Sequence, residues 1–296
     1  GKPAVPVLDE IYDNKFKDID DLHIDPNVQK TKAVVVYGDL ADPSTFKKII
    51  AGVDAQGNDT GTALLRVEAA RAAGRIGIKE AVSGLKKRMD NPDISQSEHP
   101  LGALTQMGEK DIADDVYNLS SEAGFMKNCK GVGNTDDQCK FDEQKVRKPR
   151  ITAFSRLSSD KAKMDSLVND EKNPEFKKWI GEQAERVTAA AECKTDFKCW
   201  QGKLKDKSAR VRDRAAYELA WMNTDQARDA LYDALTDDDN EVRYAAIIGV
   251  GRRLPKDGIA VADKIQKQLD SEKGKTQYIR INEDLKRLEV RVRRGF

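Results

Sequence analysis

The chain has 296 residues, 39% hydrophobic and 35% charged, with 52 Lys and Arg against 51 Asp and Glu and a formal charge of +1. At about 100–200 residues per domain this is one or two domains or one elongated array, and the balanced charge leaves no basic excess to hold a polyphosphate, which disfavours sequence-independent nucleic-acid binding. No apolar run approaches the roughly 20 residues of a membrane span, and 6% aromatic residues do not describe an aromatic-rich β sandwich.

The first 27 residues read as an acidic segment or cap: residues 1–26 hold seven acids against three lysines. His23 lies there, in Asp20-Asp21-Leu22-His23-Ile24-Asp25, and is read as an exposed loop residue. His99, the only other histidine, is read as a loop residue at a helix start before Pro100, and two histidines exclude a multi-histidine metal centre. The chain opens at Gly1 without a leader-type apolar stretch, which is compatible with an exported precursor trimmed to its mature part.

Residues 28–270 repeat. Apolar residues at offsets 0, 8 and 11 recur as Leu65/Ala73/Ile76, Val146/Phe154/Leu157, Phe176/Ala184/Val187 and Val211/Leu219/Met222. Those offsets share one face of a helix with 3.6 residues per turn. A polar turn and a second apolar stripe follow, as in Ala81/Leu85/Met89, Ile112/Val116 and Ala227/Leu231/Leu235. The spacing predicts helix–turn–helix units beginning near 28, 65, 96, 146, 176, 211 and 242. Val34-Val35-Val36-Tyr37 is the best strand candidate, but its flanks fit a first repeat helix better. Thr224-Asp225 and Asp237-Asp238-Asp239-Asn240 read as helix caps, and Pro43, Pro92, Pro100, Pro174 and Pro255 read as junctions. One helical hairpin cannot bury both of its faces, whereas stacked neighbours share a continuous core.

Two segments depart from plain repetition. An insertion at about 120–143 contains Gly124, Gly131, Gly133, Asp136-Asp137 and the pair Cys129/Cys139. A shorter one carries Cys193/Cys199, with Trp200 directly after it. Neither pair has zinc-knuckle or C-x-x-C spacing. Two local disulfides, each worth roughly 2–3 kcal/mol at best in the chain-entropy model, would imply an oxidising compartment. Four free thiols in a cytosolic protein, or one shared four-thiolate metal site, remain open at this point. Trp179, Trp200 and Trp221 read mainly as core and inter-repeat filler, with Trp200 the most exposed of the three. Residues 271–296 read as a basic capping helix, eight bases against four acids, along Ile281/Leu285/Leu288/Val292.

The pattern Val-Arg-x-x-Ala-Ala-x-x-Leu at 211–219, preceded by acids and followed 31 residues later by Val242-Arg243, resembles HEAT repeats. It is most similar to the short bacterial kind also found in phycobilin lyases. The resemblance is strong over 65–91 and 206–254, recognisable over 142–205, and weak over 1–60 and 255–296. It implies an all-α fold, a right-handed α-α superhelix of about seven helix pairs. It also implies that Arg66, Arg147, Arg212 and Arg243, which recur at one repeat position, meet acids of neighbouring repeats in a structural ladder. Such repeats serve enzymes, scaffolds and nucleic-acid binders alike, so the resemblance says little about activity.

No catalytic constellation, cofactor site or metal-ligand set is expected. The first functional reading is a non-enzymatic scaffold or adaptor that takes proteins or peptides on its concave face. Trp200, Arg287, Arg291, Arg293 and Arg294 are its candidate partner contacts. The alternative, implied by the resemblance, is a chromophore or cofactor lyase or chaperone-like factor, which needs a free thiol. Nucleic-acid binding ranks third, and the Arg-Val-Arg-Arg tail permits at most a weak contact with anionic lipid or RNA. Oxidised cysteines predict a periplasmic or secreted protein, reduced ones a cytoplasmic protein.

Overall fold

The repeating apolar stripes become helices. A computed structural model describes residues 2–15, 24–91, 94–256, 258–272 and 279–295. Every regular element among the described residues is helical, so the chain is all-α, as the pattern predicts. It divides into two compact units, Gly1–Leu157 and Ser158–Phe296.

The first unit contains α1 (Val5–Tyr12), α2 (Pro26–Leu40), α3 (Phe46–Val53), α4 (Thr60–Ile76), α5 (Val82–Met89), α6 (Ile94–Gln106), α7 (Ala113–Ser120), α8 (Glu122–Gly131) and α9 (Asp136–Leu157). The long helices stack in sequence, α2 on α4, α4 on α6 and α6 on α9. The short helices α3, α5 and α7 each pack against a neighbouring long helix, α4, α6 and α9 respectively. The stripes explain this. Ala81, Leu85 and Met89 are all buried, as are Ile112 and Val116 and, on the long helices, Leu65 and Ala73. Ala-rich faces let the long helices approach closely. A Cβ on Gly74 would lie 2.7 Å from the Cα of Ala103 on the next long helix. Val34 and Tyr37 are buried inside α2, so the strand alternative is excluded.

The second unit contains α10 (Lys161–Asp170), α11 (Pro174–Cys193), α12 (Phe197–Lys203), α13 (Ala209–Trp221), α14 (Asp225–Ala230), α15 (Asn240–Arg252), α16 (Ile259–Ser271) and α17 (Ile279–Arg294). Here α11 packs on α13, α13 on α15, and α15 on α17. Ala227, Leu231 and Leu235 fill the core with no more than 0% exposure each. The caps fall where the sequence puts them. Thr224 Oγ1 accepts from Ala227 N at 3.2 Å, and Asp239 Oδ1 accepts from Glu241 N at 2.8 Å. Both satisfy backbone donors that a helix start leaves without an intrahelical acceptor.

Three expectations are corrected. The insertion at 120–143 is mostly helical and does not stand apart from the repeats: it holds α8, the turn at 132–135 and the first two turns of α9, so the long helix expected near 146 begins at Asp136. Ser121 supplies the missing start signal, its hydroxyl accepting from Gly124 N at 3.0 Å. Pro100 and His99 are inside α6 and not at its start, and Pro149 is inside α9. An interior proline removes its own donor and crowds the carbonyl four residues before it, and packing of the surrounding helix offsets that cost. His23 and Pro92 lie outside the described residues.

Candidate functional site

The cysteine pairs close locally. Cys129 and Cys139 stand 5.9 Å apart at Cα and Cys193 and Cys199 5.4 Å, both as disulfides, and all four cysteines are thereby used. In the first unit Cys129 ends one helix and Cys139 starts the next, so the bond pins α8 against α9. Phe125, Cys129, Cys139 and Val146 form a small core of their own between the two helices. Cys139 faces that core, and a residue two positions on is rotated by about 200° around a helix. Phe141 is therefore turned outward, and it is 88% exposed. Val132, in the turn after α8, is 60% exposed. Among the described residues Phe141 is the most exposed large apolar side chain, and Ile259 at the start of α16, 59% exposed, matches Val132. Lys127, Lys130, Lys140 and Lys145 and the acids Asp136 and Asp137 are exposed on the same two helices, with Lys130 and Asp136 paired at 2.8 Å.

The sequence reading missed Phe141 and Val132 and chose Trp200 in their place. That choice is corrected: Trp200 is 0% exposed, and its indole N–H donates to Lys194 O at 2.9 Å. A buried indole needs such an acceptor. The half-exposed tryptophans are Trp179, stacked on Phe176 with ring centroids 5.5 Å apart, and Trp221. The Arg252 guanidinium lies 3.8 Å over the Trp221 ring. Burial draws Arg252 down to about 10 against the opposing pull of Tyr217 and Tyr244, so it stays charged at neutral pH. The helical period was the available signal for Phe141: once Cys139 faces inward, residue 141 cannot.

The C-terminal arginines are mostly engaged. Arg287 meets Asp284 at 3.4 Å, Arg291 donates to Gly251 O at 3.1 Å, and Arg293 bridges Glu289 at 2.6 Å and Asp263 at 3.0 Å. Arg294 is exposed. The contacts of Arg291 and Arg293 tie α17 to α15 and α16.

The recurring arginines are structural, but their partners vary. Arg212 is bidentate to Asp237 at 2.8 and 2.9 Å and also reaches Asp238 at 2.6 Å. Arg243 pairs with Glu272. Arg147 meets Glu143 of its own helix and donates to Ser120 O at 2.8 Å. Arg66 donates to the carbonyls of Ala55 and Gly57 at 3.2 and 2.6 Å and has no acid in that role. A further pair went unnoticed in sequence: Arg186 and Asp213, both 0% exposed, meet at 2.6 Å, and Arg186 also reaches Glu241. No group of three or more His, Cys, Asp or Glu side chains among the described residues is arranged to hold a metal ion, and no described helix is long and apolar enough to cross a membrane.

Stacked helical hairpins with inter-repeat arginine pairs define a helical-repeat protein. Residues 201–276 match the family model for HEAT repeats. The match includes the 206–254 stretch singled out by its sequence pattern. Among solved structures, the chain is similar to the phycocyanin lyase complex of Nostoc sp. PCC7120, at 16% identity over 93% of this chain and 92% of that one, with a TM-score of 0.42. It is also similar to human deoxyhypusine hydroxylase, at 15% identity over 100% of both chains, with a TM-score of 0.39. No curated protein sequence matches it.

Proposed function

We propose that this protein is a non-enzymatic interaction scaffold whose α8–α9 hairpin supplies one contact for a protein partner. The observation that carries the reading is Phe141, 88% exposed on a helix that a disulfide and a private core hold rigid. Leaving a phenylalanine in water forgoes about 2–3 kcal/mol of burial, and a pre-ordered aromatic anchor loses little conformational freedom when it is covered. An exposed aromatic anchor favours a partner with an apolar pocket, while the charges of the hairpin are mixed, with Lys130 paired to Asp136 at 2.8 Å. Proteins or peptides running along the concave faces of the repeats belong to the same reading. Two closed cysteine pairs support a periplasmic or secreted setting.

The test places a photo-crosslinking residue at 141, and a control at exposed position 115, in protein expressed in its source. A protein crosslinked from 141 and not from 115 is then purified and its affinity measured. Phe141→Asp should weaken that affinity at least tenfold while leaving the melting curve unchanged. An affinity that does not move refutes the contact. Thiol counting on denatured native-source protein should find none free. Four free thiols would remove the compartment argument and favour the cofactor-lyase alternative.

A further inference from the structure

The two disulfides differ in what solvent reaches. Cys129, Cys139 and Cys193 are 5%, 0% and 2% exposed, whereas Cys199 is partly exposed at the start of α12. Thiol–disulfide exchange requires a thiolate to reach one sulfur in line with the bond, so access selects both the bond and the atom. From this difference we infer that Cys199 is a thiol-exchange site: an external dithiol opens the Cys193–Cys199 bond in the folded protein, leaves Cys129–Cys139 intact, and thereby releases the segment that holds Trp200.

The chemistry closes with one co-reactant, a dithiol. Its thiolate attacks Cys199 Sγ and forms a mixed disulfide. The protein's S–S bond breaks, and its electron pair leaves on Cys193 Sγ, which takes up a proton. The second thiol of the reagent then attacks the reagent's own sulfur in the mixed disulfide. This closes the reagent's disulfide and frees Cys199 as a thiol. Two electrons have passed from the dithiol to the protein.

The enclosed segment is poised to move. Lys194 has φ +51° and ψ −112°, in the half of conformational space that favours glycine. Non-glycine residues stay there only where their surroundings over-determine them. Three restraints act on Lys194: the adjacent disulfide, its own N–H donating to Ala190 O at 3.0 Å, and its carbonyl accepting from the Trp200 indole at 2.9 Å. Opening the ring removes the covalent restraint. Lys194 can then return to negative φ, and its carbonyl swings away from an indole that is otherwise wholly buried. The site goes beyond the scaffold reading and does not depend on it.

The test uses the whole, unreduced protein in native buffer with a small excess of dithiothreitol. Aliquots are alkylated and mapped by mass spectrometry. Cys193 and Cys199 should be labelled at least tenfold faster than Cys129 and Cys139. In a Trp179→Phe/Trp221→Phe variant, Trp200 is the sole indole, and its emission should shift on the time course of that labelling and return on reoxidation. Equal labelling rates, faster labelling of Cys129 and Cys139, or four free thiols before treatment would overturn the site. Fast labelling with unchanged emission, in the variant or in the parent protein if the variant does not fold, would overturn the release of Trp200.

Discussion

Asp213→Ala tests whether buried ion pairing, and not helix stacking alone, sets the stability of the second unit. Asp213 and Arg186 are both 0% exposed, and the carboxylate accepts from Arg186 Nε at 2.6 Å. Removing the acid strands a guanidinium edge where no water reaches. Breaking one side of a buried pair costs about 3–5 kcal/mol. Arg186 retains Glu241 and Gln183, which argues for the low end, about 3 kcal/mol, or roughly 10 °C in Tm for a unit of this size. The assay is selective, because Trp179, Trp200 and Trp221, the only tryptophans, all lie in Ser158–Phe296. Urea unfolding followed by tryptophan emission therefore reports this unit. The midpoint should fall with the slope unchanged. The double variant Arg186→Met/Asp213→Leu removes both charges and should lie within about 1 kcal/mol of the parent or above it, since Glu241 keeps Arg210 as a partner. A single variant that costs less than about 1 kcal/mol, or a double variant as damaged as the single, would refute the reasoning.

Gly249→Ala puts a methyl 2.4 Å from Leu231 Cδ1 and 2.9 Å from the Cα of Ala220. It should destabilise by about 1–2 kcal/mol in the same assay, despite alanine's better helix propensity. Acid should act through Asp237 and Glu272. Burial opposes their charge, but hydrogen bonds, from Arg212 to Asp237 and from Arg243 to Glu272, hold both below their ordinary 3.8 and 4.5. Their stabilisation is complete above those ordinary values and is lost as pH falls through the lower folded ones. The urea midpoint should hold down to about pH 5 and then decline, and Arg212→Gln should flatten part of that decline. A midpoint independent of pH down to about pH 3 would contradict the ion-pair account. Phe141→Asp should leave the whole-chain unfolding curve followed by far-ultraviolet circular dichroism in place, since the residue is exposed and outside the hairpin core.

The architecture was legible because it is periodic. Stripes such as Ala227/Leu231/Leu235 repeat a local rule, and each copy reinforces the reading of the others. The local cysteine pairing was legible for a related reason, since six or ten residues of chain bring two thiols together with little search. What tertiary structure alone decided is which side of each element meets water. Trp200 looked exposed because it follows a polar loop, yet α12 turns its indole inward and Lys194 O satisfies the N–H. Phe141 looked unremarkable in a charged segment, yet it is left bare because the disulfide rotates Cys139 into the hairpin core. Arg186 found Asp213 twenty-seven positions away because successive long helices stack side by side. Periodicity specifies a helix and its buried face from neighbours in sequence, whereas burial of one given side chain depends on what a distant segment lays over it.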